Sequence, residues 1–305
     1  MDSGHSYNRR LYAASWALIA YTVLIIAWGA WVRISGSGDG CGAHWPLCHG
    51  EAIPSAANVK TWTEVSHRYS TALFGLFVIA QLIAIRRLMP RSNPARYWIW
   101  WTVFFTATEA LIGRMLVTHG LVDESRDLSR LVVMPLHLVN TSLLLFSEVM
   151  TAESIVFGLR HSSVLTTRQR RWIAMGIVFA VLLLTSGAIA ALGSHLMPAS
   201  SLQQGLAHDL HSDSHIAVRL RLLHPLLGLA IPLISWFIFS YRATEAPPQH
   251  LSSMYCQLGI SVLVMVLIGI LTLSLLAPTW LKLLHLTMAN LLVILGSRCI
   301  FHTIR

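Results

Sequence analysis

Residues 67–85 read HRYSTALFGLFVIAQLIAI, nineteen residues opened by a histidine and an arginine and uncharged thereafter. At about 1.5 Å per helical residue such a run covers about 30 Å, the thickness of a bilayer's hydrocarbon core. Seven more runs of comparable length flank it: Leu11 to Val32, Trp98 to Val117, Leu131 to Met150, Trp172 to Leu192, Leu222 to Ser240, Met254 to Ala277 and Leu281 to Ile300. With 55% hydrophobic and only 11% charged residues among 305, and a mean hydropathy of +0.61, the chain is too apolar for a soluble domain of its length. The expected fold is therefore an all-α membrane protein of eight transmembrane helices. The first run follows Arg9 and Arg10 but is too long for a signal peptide's apolar region and lacks a small-residue cleavage site, so it reads as a retained helix.

The net charge of +9 does not point to nucleic acid, because the basic residues come in short clusters between apolar runs rather than on one continuous surface. They report orientation instead. With a cytoplasmic N-terminus, the inner side holds Arg9, Arg10, Arg86, Arg87, Arg91, Arg96, Arg160, Arg168, Arg170, Arg171 and Arg242, against Lys60, Arg126, Arg130, Arg219 and Arg221 outside. That asymmetry places both termini in the cytoplasm and the loops after helices 1, 3 and 5 on the outer face of a cell (inner) membrane. Cys41 and Cys48 then face an oxidising compartment, where a disulfide closing the short loop around Pro46 is expected. Cys256 and Cys299 read as small buried hydrophobes.

The halves repeat. Gly29-Ala30 recurs as Gly187-Ala188, His67 as His224, Leu111-Ile112-Gly113 as Leu267-Ile268-Gly269, and His137 as His285, at offsets of 158, 157, 156 and 148. The register slips only where the charged loop Thr118 to Arg130 is replaced by the short Pro278-Thr279-Trp280. A four-helix offset preserves topology, so the repeat is parallel, giving two pseudo-symmetric four-helix bundles rather than an inverted transporter repeat. The expected division is residues 1–158, a basic cytoplasmic linker at 159–171, and residues 172–305. Gly113, Gly187 and Gly269 are expected to let helices approach closely in lipid.

All four repeated histidines stand near the start of even-numbered helices, at one depth close to the outer face. Polar side chains there are costly unless they face the bundle interior, and one alone is often no more than a packing residue. Four at matching positions of a duplicated unit argue for a site. Two imidazoles on facing helices can bind one iron from both sides, and bundle interiors supply apolar walls for a porphyrin, so each half offers a haem-sized site. Zinc fits less well, since a closed site needs about four ligands.

Glu64 precedes His67 by three residues, whereas Arg221 occupies the matching place before His224. A carboxylate in a partly apolar pocket is a usable proton acceptor, and the alternative is a helix N-terminal acid favoured by the dipole. The asymmetry suggests chemistry in the first half and a permanent cofactor in the second. Arg33 is a candidate partner for a haem propionate, with snorkelling as the plain alternative. Glu109 and Arg114 pair either with each other or with a ligand. His208, His211 and His215 have helical spacing, yet such loop tracts are more often solvated than metal-binding.

These residues carry a family pattern. Trp31-Val32-Arg33-Ile34-Ser35-Gly36-Ser37-Gly38, Cys41 to Cys48 ending in Trp45-Pro46-Leu47-Cys48, and Glu64-Val65-Ser66-His67-Arg68 resemble the haem A synthase family, membrane oxidoreductases that convert haem O to haem A. The likeness spans nearly the whole chain and is most specific in residues 29 to 70. It implies that the C8 methyl of haem O is hydroxylated twice and loses water to give a formyl group. It further implies that His224 and His285 ligate a resident haem b, that His67 and His137 receive the substrate porphyrin, that Glu64 assists catalysis, and that Cys41 and Cys48 pair. A second cysteine pair found after helix 5 in some relatives is missing from Gly193 to Arg219. The reading is compatible with a haem O synthase partner, an electron-transfer partner and an oligomer. The alternative from another class is a non-catalytic di-haem b cytochrome, which needs the histidines but neither Glu64 nor an exchangeable porphyrin.

Overall fold

A computed structural model of the chain describes residues 3–55, 58–123, 125–158, 166–230 and 249–304. Long helices dominate: α1 (Ser3–Ile34), α2 (Val59–Leu88), α3 (Ala95–Thr118), α4 (Arg130–Phe157) and α5 (Thr167–Leu196). Two short helices follow, α6 (Leu202–Leu210) and α7 (Ile216–Leu220). The helical turns 223–230, here α8, run to the edge of the described residues, and α9 (Gln249–Ser274) and α10 (Thr279–Ile304) complete the order. Among the described residues the only β pairing is an isolated bridge between Cys48 and Glu51.

Six of the eight expected spans are helices long and apolar enough to cross a membrane: Arg9–Ile34, Val59–Leu88, Arg130–Phe157, Gln169–Leu196, Ser252–Ser274 and Thr279–Ile304. The third expected span coincides with α3, a helix of 24 residues that is not among these six. Its hydropathy is held down by Glu109, Arg114 and three tryptophans. The sixth expected span, Leu222 to Ser240, lies mostly in residues 231–248, outside the described residues, as does most of the expected linker.

Helix boundaries follow local chemistry. Asn58 caps α2 by accepting the Thr61 N–H at 3.0 Å, so the helix starts eight residues earlier than the apolar run and takes in Glu64. At its far end Arg96 donates to the carbonyls of Arg86 (2.6 Å) and Met89 (3.0 Å), satisfying the frayed end of α2 from the start of α3. Thr166 and Gln169 form a reciprocal capping box at the start of α5. Pro135 is tolerated because it sits near the start of α4, where few intrahelical N–H bonds are lost.

The chain divides into two compact units, one comprising residues 1–129 and 140–163, the other 130–139 and 164–304. In the first, α1 packs on α2 and α2 on α3. Leu11, Ile85, Met89, Ala95, Ile99 and Ile155 form one core cluster and Leu18, Phe74, Val78 and Leu144 another. In the second, α9 packs on α10, and α7 on α5 and α6. Burial is inverted relative to a soluble protein. Leu76, Phe104, Leu263 and Leu267 are exposed, while Glu148, Glu153, Ser147, Thr151 and Asn290 are buried, the distribution that a lipid surround favours. Cys299 is buried as expected, but Cys256 is exposed, because it lies on an outward face of α9.

Candidate functional site

The second unit brings two histidines together. His224 enters from the start of α8 and His285 from the second turn of α10, their ring centroids 6.0 Å apart and their planes at 85°. Two imidazoles binding one iron from opposite faces, through bonds of about 2.0 Å with each ring centre about 1.1 Å beyond its nitrogen, stand about 6 Å apart. The spacing therefore suits one metal between them. Each ring is seated against a glycine. A Cβ at Gly187 would lie 3.0 Å from Cε1 of His224, and one at Gly269 would lie 3.3 Å from Cε1 of His285.

A hydroxyl reaches the His224 ring. The Ser186 hydroxyl lies 3.0 Å from the Leu183 carbonyl and 3.2 Å from Nδ1 of His224, so an Nδ1–H tautomer has an acceptor here. In that tautomer Nε2 carries the free lone pair, the arrangement a metal-ligating histidine adopts.

In the first unit His67 has the same seat. A Cβ at Gly29 would lie 2.9 Å from its Cε1 and 3.1 Å from its Nε2. His137 belongs to residues 130–139, grouped with the second unit, so the structure brings His224 to His285 but describes His67 and His137 in separate units. The glycines do less for helix contact than expected and more for the histidines. Gly187 and Gly269 make room for imidazoles, whereas a Cβ at Gly113 would meet nothing within 4 Å. The signal was present in the spacing, since Gly29 precedes His67 by 38 residues and Gly187 precedes His224 by 37.

Above His67 the first loop is clasped to α2 through Glu64. Its Oε2 accepts the Cys41 N–H at 2.8 Å, and its Oε1 accepts Arg68 Nε at 3.1 Å beside a second contact with that guanidinium. Arg68 reaches on to the carbonyls of His44 (2.7 Å) and Leu47 (2.9 Å), and Thr61 donates to the Gly40 carbonyl at 2.8 Å. Cys41 and Cys48 form a disulfide, buried with Val65. A Cβ at Gly40 would stand 2.5 Å from the Lys60 backbone, so only glycine permits this approach. Farther along the loop, the Ser55 N–H and hydroxyl hold the Glu51 carboxyl below the usual carboxylate range.

Arg221 performs the matching task in the second unit with the charges reversed. It pairs with Asp209 of α6 and donates to the carbonyls of Gly205 (2.8 Å) and Met197 (3.2 Å). Burial pushes the Asp209 carboxyl up, opposed by the Arg221 charge. The residue three before each histidine therefore fastens its own loop, a role that the mismatch of Glu64 with Arg221 had hidden.

Arg33 lies half-buried in the last turn of α1. Glu109 accepts from Asn140 Nδ2 (2.6 Å) and from the Thr141 hydroxyl, and the Arg114 guanidinium lies 5.6 Å from the centre of the Trp45 ring. Among the described residues no three His, Cys, Asp or Glu side chains converge as a metal group. His215 instead caps α7 by accepting the Ala217 N–H, and His211 accepts the Asp213 N–H.

The profile of a family described as cytochrome oxidase assembly protein matches residues 13–296. The chain belongs to the cytochrome oxidase assembly protein family. It is 35% identical over 286 residues to a Thermus thermophilus protein named protoheme IX farnesyltransferase, a match covering 92% of this chain and 46% of that protein. A haem A synthase from Symbiobacterium thermophilum is 38% identical over 109 residues, 36% of this chain and 35% of that one. Another, from Exiguobacterium sibiricum, is 46% identical over 74 residues, 24% and 25% of the two chains. The chain thus spans about half the length of the Thermus relative. As a member of this family it is a multi-pass membrane protein, and the paired histidines are its outstanding chemical feature.

Proposed function

We propose that the chain is a haem A synthase, oxidising the C8 methyl of haem O to a formyl group by successive hydroxylations. The observation that carries this reading is the family match over residues 13–296, joined to relatives named haem A synthase. The repeated seat of histidine on glycine supports it from within the chain.

On this reading the fold is two parallel-related four-helix bundles, residues 1–158 and 172–305, joined by a basic cytoplasmic linker, with both termini in the cytoplasm and the membrane a cell (inner) membrane. His224 and His285 hold a resident haem b, which when bound supplies one-electron chemistry. Ser186 fixes the orientation of one ligand. His67 and His137 receive haem O, Arg33 meets a propionate, and Glu64 holds the disulfide loop over the substrate side while offering a carboxyl for proton transfer. A relative named for farnesyl transfer to protohaem IX, more than half of which lies outside the match, supports handover of substrate from a neighbouring haem O synthase.

The test is pigment analysis of the purified protein from cells with and without haem O. One haem b that persists, with haem O or haem A varying with supply, is the expected result. Two stoichiometric haems that never exchange would make the protein a di-haem cytochrome instead. Glu64→Ala is expected to keep the haem b spectrum and abolish haem A formation, and unchanged haem A would remove Glu64 from the chemistry.

A further inference from the structure

The buried face of α4 carries a carboxyl group that the reading above leaves unused. Glu148 is 2% exposed. Its Oε1 lies 2.9 Å from the Thr22 hydroxyl of α1, and its Oε2 is buried with no hydrogen-bond partner among the described residues. Leu144, one turn along α4, and Leu18, one turn along α1, join Phe74 and Val78 in an apolar cluster. Among the described residues no lysine, arginine or histidine pairs with the carboxyl.

The Thr22 hydroxyl is the one hydrogen-bonding group beside the carboxyl among the described residues. Its oxygen is 3.0 Å from the Leu18 carbonyl, an acceptor in every state. A hydroxyl has one proton to give. Whether that proton goes to Leu18 or to Oε1 of Glu148, the carboxyl receives at most one hydrogen bond, too few to hold an anion. The cost of an unpaired carboxylate in an apolar bundle points the same way.

Glu109 is the contrast. Two donors from α4, the Asn140 amide and the Thr141 hydroxyl, serve its carboxyl, against one hydroxyl for Glu148. Asn140 and Thr141 follow His137 by three and four residues on the same helix, and Glu148 follows Thr141 by seven, about 10 Å farther along. Beyond it the stripe stays polar. The hydroxyls of Ser147 and Thr151 stand 3.2 and 3.4 Å from that of Thr102, and Glu153 and Ser154 are fully buried. A buried acid without a counter-charge, set on a polar stripe, is a place where a proton can be held.

We propose that Glu148 is a proton-holding site: a neutral carboxylic acid on the buried stripe of α4 that exchanges protons with the N-terminal haem site. The use of those protons rests on the function proposed above, since converting a methyl to a formyl group removes hydrogens from carbon. The state of the acid does not depend on it.

Infrared spectroscopy of the lipid-reconstituted protein tests the state. The wild type is expected to show a carboxylic C=O stretch that shifts in D2O and is lost in Glu148→Gln. Thr22→Val, which keeps the acid but removes its partner, is expected to move that band to higher frequency, and provides the test should the Gln variant not fold. A wild-type spectrum with no such band, or one unmoved by Thr22→Val, would overturn the assignment. Glu148→Gln is further expected to lower haem A formation at least tenfold with the resident haem spectrum unchanged, and wild-type yield would overturn the proton-exchange role. A wild type that forms no haem A would refute the proposed activity while leaving the infrared result standing.

Discussion

The imidazoles of His224 and His285 stand 6.0 Å apart, centroid to centroid, at nearly a right angle. Removing either ring leaves half of a two-sided site. His224→Ala and His285→Ala are each expected to lose the resident haem, read as loss of its bands in the reduced-minus-oxidised spectrum of purified protein. An unchanged spectrum in either variant would move the resident site elsewhere.

The Ser186 hydroxyl lies 3.2 Å from Nδ1 of His224, and accepting the Nδ1 proton makes a ligating ring more basic. Ser186→Ala is expected to raise the midpoint potential of the haem, because a less basic imidazole stabilises ferric iron less. Haem affinity should fall by about tenfold. Spectroelectrochemical titration reads the first and haem loss to apomyoglobin the second. A potential that stays put or falls would show that the hydroxyl does not tune His224.

The glycine seats make a paired prediction. A methyl at Gly187 meets His224 Cε1 at 3.0 Å, whereas a methyl at Gly113 meets nothing within 4 Å. A free ring can swing aside, but one fixed on iron cannot. Gly187→Ala is thus expected to be made and inserted normally yet to bind haem weakly, with Gly113→Ala as a silent control. Equal haem content in the two would count against the seat.

Arg68 pairs with the Glu64 carboxylate, which is 3% exposed, and deleting one partner of a buried ion pair costs about 3–5 kcal/mol. The Cys41–Cys48 bridge closes a seven-residue separation, for which loss of chain constraint costs about 2.5 kcal/mol. Arg68→Ala is therefore expected to loosen the loop at least as much as the Cys41→Ser, Cys48→Ser double variant. Limited proteolysis of the 35–58 loop in spheroplasts would rank the two, and a loop more sensitive in the cysteine variant would place the weight on the disulfide instead.

Apolar runs, charge clusters and the offset histidines were legible along the chain because each depends on residue type and spacing alone. The size of a lipid span and the preference of basic residues for one side act on the local sequence, whatever packs against it. Even the failure of α3 to reach the hydropathy of its neighbours can be traced to Glu109, Arg114 and its tryptophans. What those residues touch could not be read in this way. Glu64 looked like a lone acid beside His67, yet its oxygens are occupied by Cys41, 23 residues earlier, and by Arg68.

Tertiary structure alone decided which glycines admit an imidazole, which hydroxyl stands beside His224, that Glu64 and Arg221 are clasps of opposite charge, and that Glu148 has one hydrogen-bonding contact and no counter-charge among the described residues. A seat or a clasp is a distance between segments far apart in sequence, set by how helices cross, and residue order constrains that only after the whole bundle has packed. A buried carboxyl is the clearest case. Its charge state follows from the donors around it, and Thr22, the one beside Glu148, comes from 126 residues away.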